Sequence, residues 1–148
     1  MDVSIVVPLY NEEESLPELC AWIKRVADEH RLSYEIILVD DGSADNSWAV
    51  VEQLRSLNSC IKGIKFQRNY GKSAALNEGF HVCEGDVVIT MDADLQDSPD
   101  EIPALHKMIM EGGWDIVSGW KKNRHDPLEK KLPSRFFNWI TAKISKIP

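Results

Sequence analysis

Apolar runs alternate with helix-period stretches along most of this chain, and that alternation restricts its fold more than any other feature. The runs VSIVV (3–7), EIILV (35–39) and DVVITM (86–91), with the weaker IKFQ (64–67), each read as a strand. Between and after them, apolar residues recur at helical spacing over Glu14–Glu29, Asn46–Leu57, Ser73–Cys83 and Pro99–Met110. Leu16, Leu19, Ile23 and Val26 form one such stripe. A strand with one wet face alternates apolar and polar residues, whereas a strand covered on both faces is apolar throughout. Strands of that second kind, each followed by a helix, predict an α/β fold with a mostly parallel sheet between helices. A fifth strand is predicted over Asp115–Ser118.

In such sheets ligands bind beyond the carboxyl ends of the strands. The residues expected there are Pro8-Leu9-Tyr10-Asn11-Glu12, Asp40-Asp41-Gly42-Ser43, Arg68-Asn69-Tyr70-Gly71-Lys72, Asp92-Ala93-Asp94-Leu95-Gln96 and Gly119-Trp120-Lys121. Every strand delivers polar groups to one rim.

Several site classes are excluded. No G-x-G-x-x-G follows the first strand, which argues against a dinucleotide fold. Gly71-Lys72-Ser73 imitates the end of a P-loop, but Phe66 stands where its first glycine would be. The four histidines show no metal-ligand spacing, and each reads as a surface or packing residue. Cys20, Cys60 and Cys83 lie far apart without a C-x-x-C, as expected for a chain in a reducing cytosol. Strand-like sequence from Val3 leaves no room for a signal peptide, and no run approaches the ~18 apolar residues of a membrane span.

The net charge of −7 excludes nucleic acid as the main partner. That charge is unevenly placed, at −13 over residues 1–120 and +6 over residues 121–148. We therefore expect the chain to divide at residue 120, with an acidic core over 1–120. A basic segment meeting something anionic is expected over 121–148.

The run VVITMDADLQDSPD (87–100) carries the sharpest chemical signal. Asp92 and Asp94, one residue apart, present both carboxylates to the same side of an extended chain. With the Gln96 amide oxygen they form a hard donor set suited to Mg²⁺ or Mn²⁺. Magnesium completes its shell with water and substrate phosphates, so the expected ligand is a diphosphate held through the ion. Asp97, Ser98 and Asp100 include a capping residue for the helix at Pro99. Capping does not account for Asp92 or Asp94. Of the pair Asp40-Asp41, one serves the Gly42 turn, leaving the other for a base or ribose. Ser43 or Asp45 can cap the helix that follows.

PLYNEEESL, EIILVDDGSADNS, RNYGKSAALNEG, GDVVITMDADLQDSPD and DIVSGW occur in this order, and the chain thereby resembles the family-two glycosyltransferases with the GT-A fold. Within them it is most similar to the polyprenyl-phosphate glycosyltransferases, including dolichol-phosphate mannose synthases. The resemblance implies that Pro8, Tyr10, Glu12 and Asp41 hold the base and ribose of a UDP- or GDP-linked donor, with Val39 lining the pocket. It places Asp92, Ala93, Asp94 and Gln96 around metal and diphosphate, and Lys121 opposite the phosphates. Lysine keeps the charge of the arginine common there but loses its two-pronged fit. Arg124, Ser134 and Arg135 are implied phosphate or acceptor contacts. The resemblance also implies inversion at the anomeric carbon, and further acceptor-site chain beyond Pro148.

Independently, SRFFNWITAKISKI (134–147) sets Phe136, Phe137, Ile140, Ile144 and Ile147 at the spacing of one helical face, with Arg135, Lys143 and Lys146 away from it. A basic amphipathic helix of this kind lies in a membrane interface, here the cytoplasmic face, though the same apolar face could pack on the sheet. The expected acceptor is a polyprenyl phosphate. The alternatives are a saccharide hydroxyl and a non-catalytic module that only binds the donor. A sugar-phosphate nucleotidyltransferase would open with a glycine-rich loop, where this chain has PLYNEE.

Overall fold

The computed structural model describes residues 1–119. Four strands, β1 (Val3–Leu9), β2 (Tyr34–Asp40), β3 (Ile61–Lys65) and β4 (Val87–Thr90), form one sheet in the order β3-β2-β1-β4. All pairings are parallel, with Ile5 opposite both Ile36 and Ile89. The helices are α1 (Leu16–His30), α2 (Ser47–Leu57), α3 (Lys72–His81) and α4 (Ile102–Gly112), the last entered through a 3₁₀ turn at Pro99–Glu101. Residues 1–117 make up one compact unit.

The central strands β1 and β2 are buried almost throughout because both their faces are covered, whereas the edge strand β4 buries Val87 and Ile89 and exposes Val88. On one face Ile5, Val7, Leu9, Ile36 and Leu38 pack with Leu16, Leu19, Cys20 and Ile23 of α1, Val51 of α2 and Ile102 of α4. On the other, Val6, Ile37 and Val39 meet Ala75 of α3. Helix α3 sits close because Gly79 has no side chain, and a Cβ there would fall 2.4 Å from Val6 Cγ1. Helix α1 buries a stripe from Leu16 to Ala27 and ends where Arg31 turns left-handed (φ 56°).

The amino ends of the strands are tied by a buried polar cluster. Glu35, whose side chain is 1% exposed, accepts Ser4 Oγ at 2.5 Å and the Glu84 amide at 2.7 Å. Lys62 Nζ closes on its second oxygen at 2.7 Å. Burial acts to raise the Glu35 pKa, but the bonds from Lys62, Ser4 and the Glu84 amide outweigh it and hold the carboxyl below its usual range.

Two expected elements differ. Strand β3 spans Ile61–Lys65 rather than 64–67, because Lys62 and Gly63 hide its start from an apolar-run criterion. Lys62 is drawn into the strand by its ion pair with Glu35. The segment 115–118 forms no strand. Ile116 is 86% exposed, and a short apolar run becomes a strand only when a neighbour takes its hydrogen bonds.

The chain runs from β1 outward through β2 to β3, then returns to place β4 on the far side of β1. The strand order reverses at β1, and a crevice opens above the carboxyl ends there.

Candidate active site

That crevice is a cavity of about 370 Å³ lined by Pro8, Leu9, Tyr10, Glu12, Asp41, Asn69, Gly71, Lys72, Asp92, Ala93 and Asp94. All four described strand ends contribute to it.

The first two loops are built against each other. Asn11 takes a left-handed conformation (φ 58°), which a short polar side chain tolerates. Its amide donates to Ser43 Oγ at 2.9 Å, and its Oδ1 accepts the Ala44 amide at 2.8 Å. The Glu12 amide donates to buried Ser47 Oγ at 2.8 Å, and Glu13 Oε2 accepts the Asn46 amide at 2.9 Å. Asp45 accepts the Ser47 amide at 3.0 Å and so serves the start of α2, as expected; Ser43 is used by Asn11 instead. Burial works to raise the Asp45 pKa, yet hydrogen bonds from Ser47 and the Glu13 amide hold its carboxyl low. This lattice fixes Tyr10 and Glu12 on the cavity wall.

The adjacent acids Asp40 and Asp41 divide their work differently from expectation. Asp40 is wholly buried, and its Oδ1 accepts the Ser43 amide at 2.8 Å within the Gly42 turn. Asp41 lines the cavity, but Oδ1 accepts the Tyr70 amide at 2.7 Å and Oδ2 the Gly71 amide at 2.9 Å. It therefore organises the loop after β3 first. Each of its oxygens retains capacity for a second bond.

Asp92 and Asp94 both line the cavity, with Ala93 buried between them. Leu95 is left-handed (φ 60°), costing about 1–2 kcal/mol for a residue with a Cβ. Its side chain packs on the core and holds the turn. The turn lets the Gln96 amide reach Asp94 Oδ1 at 3.1 Å and the Asp92 amide reach Asp97 Oδ2 at 3.2 Å. The N-cap positions, Ser98 before the 3₁₀ turn and Glu101 before α4, make no side-chain cap bond. Asp97 supports the motif through the Asp92 amide, and Asp100 accepts Trp22 Nε1 at 3.0 Å.

Of the expected site residues, Pro8, Tyr10, Glu12, Asp41, Asp92, Ala93 and Asp94 come together. Val39 is buried in the α3 side of the core, outside the lining, and the lining does not include Gln96. Lys121, Arg124, Ser134, Arg135 and the segment 134–147 lie outside the described residues. The sequence puts Asn69, Gly71 and Lys72 on the expected rim without giving them a role, and all three line the cavity. Lys72 Nζ is bonded to Asp92 Oδ1. Its place just after a strand end was the available signal, set aside once the P-loop pattern failed.

A family model, Glycosyl transferase family 2, matches residues 4–146. The chain belongs to glycosyl transferase family 2. Among curated relatives of this family-2 chain, the undecaprenyl-phosphate 4-deoxy-4-formamido-L-arabinose transferase of Pseudomonas fluorescens (strain Pf0-1) is 47% identical over 137 residues. The match covers 92% of this chain and 40% of that protein, so the chain spans about two fifths of the length of such relatives. Two solved structures share the GT-A fold. S. aureus TarS 1-349 in complex with UDP-GlcNAc superposes with a TM-score of 0.65 at 26% identity, covering 86% of this chain and 37% of that one. The mannosyltransferase PcManGT from Pyrobaculum calidifontis, in complex with GDP-Man and Mn²⁺, gives 0.64 at 26% identity, covering 74% and 32%. No helix among the described residues is long and apolar enough to cross a membrane.

Proposed function

We propose that this family-2 chain binds the donor in a metal-dependent, inverting transfer of a sugar from a nucleoside-diphosphate sugar to a polyprenyl phosphate. The carrying observation is the cavity at the β1 reversal, with Pro8, Tyr10, Glu12 and Asp41 on its walls and Asp92 and Asp94 at the end of β4. The lipid acceptor is supported by the curated relatives, which are undecaprenyl-phosphate sugar transferases.

The donor set fits Mg²⁺ or Mn²⁺. Asp94 is exposed, and among the described residues its Oδ1 meets only the Gln96 main-chain amide, while Asp92 already attracts a cation in Lys72. Magnesium takes only one or two protein carboxylates and completes its shell with water and donor phosphates, so Asp92 and Asp94 suffice. When bound, the ion would neutralise charge growing on the departing nucleoside diphosphate. Tyr10, Glu12 and Asp41 would hold base and ribose, with Ala93 beneath the diphosphate. Gln96 would offer its side-chain oxygen to the ion, while its main-chain amide fixes Asp94. Lys121, Arg124, Ser134 and Arg135 are the proposed phosphate and acceptor contacts, and 134–147 the proposed contact with an anionic membrane surface. An acceptor phosphate, with a second pKa of about 6, is already ionised at neutral pH and needs no strong general base.

Calorimetry with UDP and GDP, with and without Mn²⁺, tests this reading on the parent chain and on Asp94→Ala. Binding of one nucleotide should require Mn²⁺ and weaken at least tenfold in the variant. Indifference to both metal and variant refutes it.

A further inference from the structure

Among the described residues lining the cavity, Lys72 carries the only positive charge, against the acids Glu12, Asp41, Asp92 and Asp94. Its ammonium is spent on Asp92 Oδ1, on one of the two carboxylates proposed for the metal. The two side chains are 59% and 43% exposed, so neither is locked in place by packing. The backbone beneath Lys72 is held firmly, however. Gly71, directly before it, donates its amide to Asp41 Oδ2 at 2.9 Å. A flexible four-carbon stem thus swings a point charge from a fixed base at the first residue of α3.

We infer that Lys72 is a placeholder cation, sitting on Asp92 while no divalent ion is there and passing to the donor's diphosphate when the ion arrives. The inference rests on the donor-site reading above. Four acids around one cavity repel each other, and Lys72 relieves that repulsion in the free chain. An ammonium and a divalent ion cannot share Asp92 without repulsion, so the ion must displace Lys72. Metal alone then binds weakly. A diphosphate in the cavity offers the displaced ammonium a new anion, and metal and nucleotide therefore assist each other. By linkage, each raises the other's affinity by the same factor.

Lys72→Met and Lys72→Arg, made in the 148-residue chain, separate this role from an idle surface ion pair. Mn²⁺ alone is titrated by the electron paramagnetic resonance of the free ion, and UDP and GDP are then titrated with and without Mn²⁺. Lys72→Met should bind Mn²⁺ alone about two- to five-fold more tightly, the range for losing a half-exposed ion pair. Its nucleotide affinity in Mn²⁺ should fall, so that the coupling factor shrinks. Lys72→Arg keeps the charge and should retain the parent's behaviour. Unchanged or weaker Mn²⁺ binding by Lys72→Met, or an unchanged coupling factor, overturns the placeholder role. Asp94→Ala run in parallel tells the two failures apart. If the parent binds no Mn²⁺ even with UDP or GDP present, or binds it without regard to Asp94, the donor-site reading falls and this inference with it. If Asp94 matters and Lys72 does not, the placeholder alone is wrong.

Discussion

Gly42 joins fold and site at one atom. It sits in the turn after β2 with φ +73°, and a Cβ there would lie 2.4 Å from Arg68 C and 2.7 Å from Arg68 Cα. Those atoms belong to the backbone of the loop whose Tyr70 and Gly71 amides hold Asp41, so no rotamer change can clear them. Gly42→Ala therefore incurs the left-handed cost of about 1–2 kcal/mol and an overpacking cost of about 1–3 kcal/mol. Gly113 supplies the matched control, with φ +66° and nothing among the described residues within 4 Å of a built Cβ. Gly113→Ala should carry the backbone cost alone, about 1–2 kcal/mol. Urea unfolding of both variants, followed by calorimetric titration with nucleotide and Mn²⁺, reads the difference. Gly42→Ala should be the less stable by about 1–3 kcal/mol. It should also bind nucleotide more weakly, because the displaced loop pulls on Asp41. Equal stability of the two variants, with nucleotide binding intact in both, would refute the reasoning.

Further outcomes follow from the groups around Glu35 and Cys20. With the Glu35 carboxyl held below its ordinary value of 4.5, the stability it contributes is complete above that pH and is lost as pH falls through the folded value. Thermal melts should drop on acidification below about pH 4.5, and Glu35→Gln should flatten that part of the profile. At pH 7 Lys62→Met should cost about 1–2 kcal/mol, less than for a fully buried pair, because the Lys62 side chain is 39% exposed. Burial pushes the Cys20 thiol up to about 12, so it should resist alkylation at pH 8 in the folded chain and react once unfolded, as mass spectrometry of labelled peptides would show.

Much of this protein was legible in its residues. Apolar runs such as EIILV can be satisfied only by cover on both faces, so the parallel sheet followed from composition by position. Asp92 and Asp94 were recognisable because capping of the following helix does not account for two carboxylates placed before the turn, and both reach the cavity. The start of β3 was not legible, since Lys62 enters the sheet for the sake of Glu35, 27 residues earlier in the chain. The failure of a strand at 115–118 was equally invisible, because pairing depends on a neighbour rather than on the run itself.

The division of labour between Asp40 and Asp41 shows most clearly what the tertiary structure alone decided. Adjacent in sequence and identical in chemistry, one is buried under the Gly42 turn and the other grips two amides from a loop some thirty residues away. Lys72 looked like the remnant of a failed P-loop until the fold set it against Asp92. Sequence determines what a strand end carries, because local pattern and side-chain chemistry are properties of the residues themselves. Which acid meets which amide or ammonium is settled only when the crossovers bring distant strand ends to one rim, since hydrogen bonds and ion pairs depend on separation in space.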